Sequence, residues 1–334
     1  MKPVRIGRRL VGPGQPCWIV AEAGINHNGD RKIAFDLVRA AKKAGADAVK
    51  FQSFTPENLV GLDSPALDLL RKVRLTGRLE AELTRFSRKA GIPFFSTPFD
   101  EKCADRLTKL GVPAIKIGSG ELTHLPLLRH VARKKIPVIL STGAGAIKEI
   151  DEAVAALLRH GARGRLILLH CVSNYPTLPE QANPRTIPFL ADRYKLPVGF
   201  SDHTTGTDAA ILAVAVGACV IEKHFTLNPK MWGPDQPLSA GPAAFKKMVG
   251  LIRDLEIRLG NYDKILHEPE SFIHRIRRGI YARTAIRKGE KLTARNLVIR
   301  RPEGPMKPKD WDRILGRRAR RALRAGRAIT KGVL

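Results

Sequence analysis

Eight short apolar runs, about 20–30 residues apart and each followed by an amphipathic stretch, constrain this chain most. The runs Trp18–Ala23, Ala48–Phe51, Phe94–Ser96, Ala114–Ile117, Val138–Leu140, Leu166–Leu169, Val198–Phe200 and Cys219–His224 predict β-strands. Between them, stretches such as Lys32–Lys43, Arg78–Lys89, Lys102–Lys109, Ile147–Arg159 and Thr207–Val216 carry apolar residues at helical spacing. Gly45, Gly91, Gly111, Gly161 and Gly217 stand where helix C-caps favour left-handed backbone. Eight such units within about 210 residues predict an α/β chain folded as a (β/α)8 TIM barrel, a fold of roughly 250 residues. A doubly wound open sheet is the competitor, but no GxGxxG follows the first strand.

Beyond the barrel the pattern changes. Helical periodicity continues through Ala243–Gly260, and a polar connector follows. Then Ala285–Thr293 (AIRKGEKLT) is echoed 37 residues later by Ala322–Thr330 (ALRAGRAIT), which predicts a small domain with two similar, turn-containing halves. The expected boundaries are a barrel domain over 1–262, a linker over 263–274 and the small domain over 275–334. Net charge is +28, and residues 275–334 alone hold 20 Lys or Arg against 4 Asp or Glu. A basic tail can bind nucleic acid, but only Tyr281 and Trp311 are there for stacking and no nucleic-acid motif is present. Nucleic acid is thus not expected as the main partner, and a basic RNA-binding or structural protein stands as the non-enzyme alternative. The longest apolar stretch, Ala209–Ile221, is shorter than the roughly 18 residues of a membrane span. With no apolar leader and four widely spaced cysteines, the chain reads as cytoplasmic, with reduced thiols and no membrane partner.

Polar residues cluster where the strands end. In a barrel all eight C-terminal ends converge on one face, where active sites sit. Period-two alternation puts Lys50 with Gln52 on one face, and Glu222 with His224, which turns Lys223 toward the helices. Lys50 and Lys116 then read as interior cations near Ser119, Ser141, Thr142 and Ser201. Buried lysines need anionic partners, for which phosphate fits well. The alternatives are Lys–Glu ion pairs with Glu22 or Glu121, or the Schiff-base lysine of a pyruvate aldolase. His203 and His224, at adjacent strand ends with no cysteine expected nearby, point to a divalent metal with N/O ligands. His27, within Asn-His-Asn, reads as a loop-ordering residue.

The motifs AEAGINHNGD (21–30), VKFQ (49–52), STPFD (96–100), KIGSGEL (116–122), STGA (141–144), SNYPT (173–177), GFSDHTTG (199–206), IEKHFTL (221–227) and GPDQPLSAGP (233–242) resemble the sialic acid synthase family. Its members condense phosphoenolpyruvate with an N-acyl sugar aldehyde. RRGIYARTAIRKGEKLT with IRRPEG resembles that family's mostly-β antifreeze-like (SAF) domain, so the likeness runs over nearly the whole chain. The resemblance implies that Lys50, Thr97, Lys116, Ser119, Ser141, Ser173 and Ser201 hold phosphoenolpyruvate. It implies Mn2+, with Mg2+ or Co2+ as substitutes, on His203 and His224. Gln52, Phe99, Glu121, Tyr175 and Asp235 would line the sugar site, with Glu22 there as a proton-transfer group. Arg301 would reach the sugar from the partner subunit of a domain-exchanged homodimer. The chain departs from the family pattern at Gln236, which stands for His in GPDH, at Glu303 after Arg301-Pro302, and in a short segment over 55–76. All three departures lie on the acceptor side.

Overall fold

The computed structural model describes residues 1–261 and 263–334, so the expected domain boundary at residue 262 lies outside the described residues. The first two strands, β1 (Val4–Ile6) and β2 (Arg9–Val11), form an antiparallel hairpin that the apolar rhythm does not announce. They are too short to show a period, yet Val4, Ile6 and Val11 are buried in the main core. Gly7 and Gly12 lie against Pro113 and Pro197, which precede barrel strands. The hairpin therefore packs at the end where strands begin, opposite the polar strand ends.

The eight apolar runs become β3 (Trp18–Gly24), β4 (Ala48–Ser53), β5 (Phe94–Pro98), β6 (Ile115–Ile117), β7 (Val138–Ser141), β8 (Leu166–Cys171), β9 (Val198–Asp202) and β10 (Val220–His224). All pair in parallel and close into a barrel, because β10 hydrogen-bonds both β9 and β3. That closure excludes the open sheet. The helices wrap the strands with one apolar face inward. In the helix Arg31–Lys43, for example, Ala34, Leu37, Val38 and Ala41 are buried, and the Asp30 side chain caps its first turn by accepting from Ile33 N–H at 2.9 Å. Gly91 and Gly111 end their helices in left-handed backbone at φ 67° and 70°.

The chain divides into two compact units, Met1–Gly260 and Asn261–Leu334. Part of the expected linker is helical, since Glu270–Ile276 forms two turns. The second unit has its own core around Ile280, Ile286, Leu292, Leu297 and Ile329, beside a hairpin of β11 (Gly279–Ala282) and β12 (Leu297–Arg300). Its two echoed halves pair with each other. Ile286 and Leu323, equivalent in the echo, exchange two N–H···O bonds of 2.8 Å. Gly289 N–H donates to Ala319 as Gly326 N–H donates to Ala282, and Leu292 N–H donates to Arg317 as Ile329 N–H donates to Ile280. Each bond of a pair maps onto the other by the 37-residue shift, so the unit has an internal two-fold axis.

Backbone crowding decides one barrel position. A Cβ on Gly199 would lie 2.5 Å from Val220 O and 2.7 Å from Leu169 Cδ2, where β8, β9 and β10 meet. Gly250, inside the helix Pro242–Leu259, has nothing within 4 Å. In urea titrations Gly199→Ala should lower stability by about 1–3 kcal/mol. Gly250→Ala should raise it by about 0.5–1 kcal/mol through helix propensity alone.

Candidate active site

The converging ends of the strands surround a cavity of about 330 Å³, lined among others by Glu22, Lys50, Gln52, Thr97, Phe99, Lys116, Ser119, Ser141, Ser173, Tyr175, Ser201, His203, Glu222 and His224. With Cys171 of β8, which also lines the cavity, these residues come from all eight barrel strands and the loops that follow them. Closure explains the meeting of distant positions, since Glu22 pairs in register with both His224 and Lys50. A β-bulge between Glu22 and Gly24 breaks the regular alternation at this rim.

At the floor lies a buried ionic cluster. Lys50 Nζ is 2.9 Å from Glu22 Oε2 and 3.5 Å from Glu222 Oε2, and it donates to Thr97 Oγ1 at 2.9 Å. Lys116 Nζ is 3.4 Å from Glu222 Oε1. The ion-pair alternative therefore holds for Glu22, whereas Glu121 is replaced in that role by Glu222. Glu121 is half-buried in the turn Ser119–Glu121, next to the cavity-lining Ser119 and Gly120, and pairs with neither lysine. The two carboxyls diverge. Burial drives Glu22 up to about 7, although Lys50 pulls the other way. Glu222 is equally buried, but Lys116, Lys50 and the Ser201 hydroxyl outweigh that and hold it near 2. Burial likewise opposes the charge on Lys50, yet the two carboxylates keep its pKa above the ordinary lysine value. Lys116 is lowered by burial.

Beside the lysines, hydroxyls converge without internal partners. Ser141 Oγ and Ser173 Oγ are buried and make no hydrogen bond. Ser119 Oγ accepts from Gly143 N–H at 3.1 Å. A Cβ on Gly143 would lie 2.5 Å from Ser173 Oγ and 2.7 Å from Ser119 Oγ, so glycine lets the backbone approach them. Two cations with unused donors make a receptor for an oxyanion. Ser201 differs, since its hydroxyl donates to Glu222 at 2.9 Å.

Across the cavity the rings of His203 and His224 lie 5.5 Å apart. His203 Nδ1–H donates to the Val172 carbonyl at 2.7 Å, which leaves Nε2 as a lone pair facing the Tyr175 hydroxyl at 3.2 Å. His224 Nδ1 is buried without a hydrogen bond, 3.7 Å from Asp235 Oδ2, and burial keeps the ring far below its ordinary pKa. Burial opposes charge on His203 as well, but the Cys171 sulfur, 3.8 Å from its Nδ1, and the Val172 carbonyl outweigh it and raise the ring above its ordinary pKa, so the expectation of no cysteine nearby is not met. With its Nδ1 held by Val172 and a ring nitrogen of His224 partnerless, the pair still suits a divalent ion that takes its remaining ligands from oxygen. No group of three or more His, Cys, Asp or Glu side chains forms a ready-made metal cage among the described residues. His27 is buried and neutral, burial driving its pKa to about 4, and its Nδ1 accepts from Gly29 N–H at 3.1 Å within its own loop.

The acceptor-side departures have structural roles. Gln236 is fully buried and donates Nε2–H to Asn26 O at 3.0 Å while its Oε1 accepts from Thr226. It ties two loops together and does not line the cavity. The segment 55–76 folds into helices Pro56–Leu59 and Leu67–Val73. They enclose a small core of Ile25, Phe54 and Val73 against which Phe99 packs. Arg301 is exposed just beyond β12 in the second unit, and Glu303 pairs with Lys307 at 3.0 Å.

Partnerless hydroxyls predict opposite effects on stability and binding. Ser141→Ala with Ser173→Ala should leave Tm unchanged or raised, because no internal bond is lost. The same pair of changes should weaken inorganic phosphate binding by roughly tenfold or more. Calorimetric titration beside thermal unfolding checks both.

Comparison with known proteins covers both units. The NeuB family profile matches residues 37–264, and the SAF domain profile matches residues 277–333. An uncharacterized protein of Methanocaldococcus jannaschii is 47% identical over 319 residues, covering 95% of this chain and 94% of its own. The N,N′-diacetyllegionaminic acid synthase of Legionella pneumophila is 39% identical over 336 residues, covering 95% and 94%. The crystal structure of an N-acetylneuraminic acid synthetase from Leptospira borgpetersenii, in complex with citrate, superposes with a TM-score of 0.76 at 35% identity, covering 81% of this chain and 93% of that one. By its barrel and its C-terminal SAF domain, the chain belongs to the NeuB family, in company with sialic, legionaminic and pseudaminic acid synthases.

Proposed function

We propose that this chain condenses phosphoenolpyruvate with an N-acyl hexosamine aldehyde, N-acetylmannosamine or a related sugar, to give a sialic-acid-type nonulosonate and inorganic phosphate. The observation that carries this reading is the meeting, in one cavity, of two buried lysines, two partnerless serine hydroxyls and two histidines with rings 5.5 Å apart. Lys50, Lys116, Ser119, Ser141 and Ser173 bind the phosphate and carboxylate, with Thr97 and Ser201 holding Lys50 and Glu222 in place. Gln52, Phe99, Tyr175 and Asp235 receive the sugar. His203 and His224 hold a divalent ion, Mn2+ or a similar metal, which supplies Lewis-acid polarisation of the aldehyde oxygen.

The steps follow from charge. C3 of phosphoenolpyruvate bonds to the aldehyde carbon, and the carbonyl electron pair moves to oxygen. C2 becomes oxocarbenium-like and is captured by water, whose proton passes to the Glu22 carboxylate. Glu22 then returns that proton to the new alkoxide. The C2–O bond to phosphate breaks, phosphate leaves with the electron pair, and the C2 hydroxyl proton passes to the departing phosphate, which leaves the ketone and hydrogen phosphate. Glu22 suits this traffic because its pKa of about 7 lets it take and give a proton near neutrality. Lys50 and Lys116 stabilise the departing phosphate.

Phosphate release from phosphoenolpyruvate is the test, read against N-acetylmannosamine, its 6-phosphate and the diacetamido sugar that the Legionella relative's product implies. Turnover is expected with one of these, only with a divalent ion present, rising with pH through about 7 as Glu22 ionises. Glu22→Gln should lose that inflection and about 10²–10⁴ in rate. A borohydride-trapped lysine adduct with pyruvate, without phosphate release, would establish the aldolase instead.

Arg301 is proposed to act from the partner subunit of a domain-exchanged homodimer, its planar guanidinium holding the sugar's N-acyl group. Mixing Arg301→Ala with His203→Ala chains then makes half the dimers mixed, each with one intact site. Activity should return to about a quarter of wild type after subunit exchange. No recovery, with exchange verified, excludes action in trans.

A further inference from the structure

We propose that the buried Asp202–Lys223 ion pair, on the outer side of the barrel wall, is a positioning device that sets His203 and His224 for a shared divalent cation. This rests on the reading of those two histidines given above. Along β10 the side chains alternate, and Glu222 and His224 line the cavity while Lys223 does not. Lys223 is nonetheless buried. Its Nζ donates to Asp202 Oδ2 at 2.8 Å and to the Thr204 carbonyl at 3.0 Å. Asp202 Oδ1 accepts from Thr204 N–H at 2.9 Å and from Thr204 Oγ1 at 2.7 Å, an Asx turn that bends the chain around His203. The residues on both sides of His203, and the one before His224, thus form a single knot.

The position of that knot matters. The β9–β10 ladder ends at the rung Lys223–Asp202, so past it no strand pairing fixes the two chains against each other. The histidines sit immediately beyond that last rung. The ion pair carries the coupling across the point where the backbone stops supplying it. Stability does not demand charges there, since apolar residues of similar volume often replace a buried ion pair without loss. What the charges add is one fixed geometry, and support of this kind around metal-binding histidines commonly sets their affinity.

The test is Mn2+ titration of the whole protein, with inorganic phosphate titrated in parallel and folding followed by circular dichroism. Asp202→Asn with Lys223→Met removes both charges and keeps an acceptor for Thr204. Glu80→Gln with Arg106→Met removes an ion pair of the helical layer with one buried and one half-buried member and serves as the control. The first pair should weaken Mn2+ binding by about 10–100-fold with phosphate affinity unchanged, and the control should move neither. Thr204→Val, which deletes only the hydroxyl bond to Asp202, should weaken Mn2+ binding several-fold and decides the matter if the double variant fails to fold. Native Mn2+ affinity in these variants, or a parallel loss of phosphate affinity, overturns the positioning role. His203→Ala is the reference arm. If it binds Mn2+ as the native chain does, the two-histidine site itself is wrong, and the pair has nothing to position.

Discussion

The ladder between β10 and β3 joins strands whose residues stand some 200 positions apart, and through it Glu22 comes to lie beside both His224 and Lys50. Closing a sheet on itself removes its two open edges and forces every strand end at one rim into a single ring. The inward residues of the ring then share one small space whose chemistry no single strand could assemble. Helices, caps and the N-terminal hairpin all serve that closure. The helices bury the outer face of the strands, and the hairpin packs at the opposite end.

The second constraint is electrostatic. Two ammonium and two carboxyl groups share a space from which water is largely excluded, and each is tolerable only because the others are there. The two glutamates show how position sets protonation. Glu222 sits between two lysines and a serine hydroxyl and stays ionised, whereas Glu22 meets one lysine at close range, faces a second carboxylate and sits near neutrality. Two chemically identical side chains are thereby separated into a permanent anion and a proton carrier, a division of labour common in active sites. The serines with unmade hydrogen bonds belong to the same logic. They are a standing cost to the free protein that an oxyanion would relieve.

Much of this was legible in the residues. Strand and helix periods, glycine C-caps and polar strand ends gave the barrel and nearly all of the cavity wall, because each depends on local pattern. What escaped depends on contacts across the fold. Glu222 reads as one more polar residue until closure sets it between Lys50 and Lys116. Glu121 looks equally suitable, but the lysines pair with Glu22 and Glu222 instead. Hairpin strands of three residues are too short to show a period. Gln236 departs from the family pattern at a position that suggests altered recognition, yet its amide joins Asn26 to Thr226. Only the three-dimensional partners of these residues distinguish a ligand contact from a brace.

The reciprocal bonds of the C-terminal unit bear on how that unit can be assembled. Each half satisfies backbone groups of the other, so a half alone would expose the unpaired N–H and C=O groups that folding must cover. The two halves are cooperative by construction. Because the bonds at Ile286–Leu323, Gly289–Ala319 and Leu292–Arg317 recur under the 37-residue shift, the surface that one half offers its own second half is also offered to the second half of another chain. The segment that joins them, with β12 and the turns Pro308–Asp310 and Trp311–Ile314, favours the internal match by tethering the two halves. The sequence repeat thus makes exchange of half-domains between molecules a geometric option, against which stand the tether and the unrepeated pairing of β11 with β12.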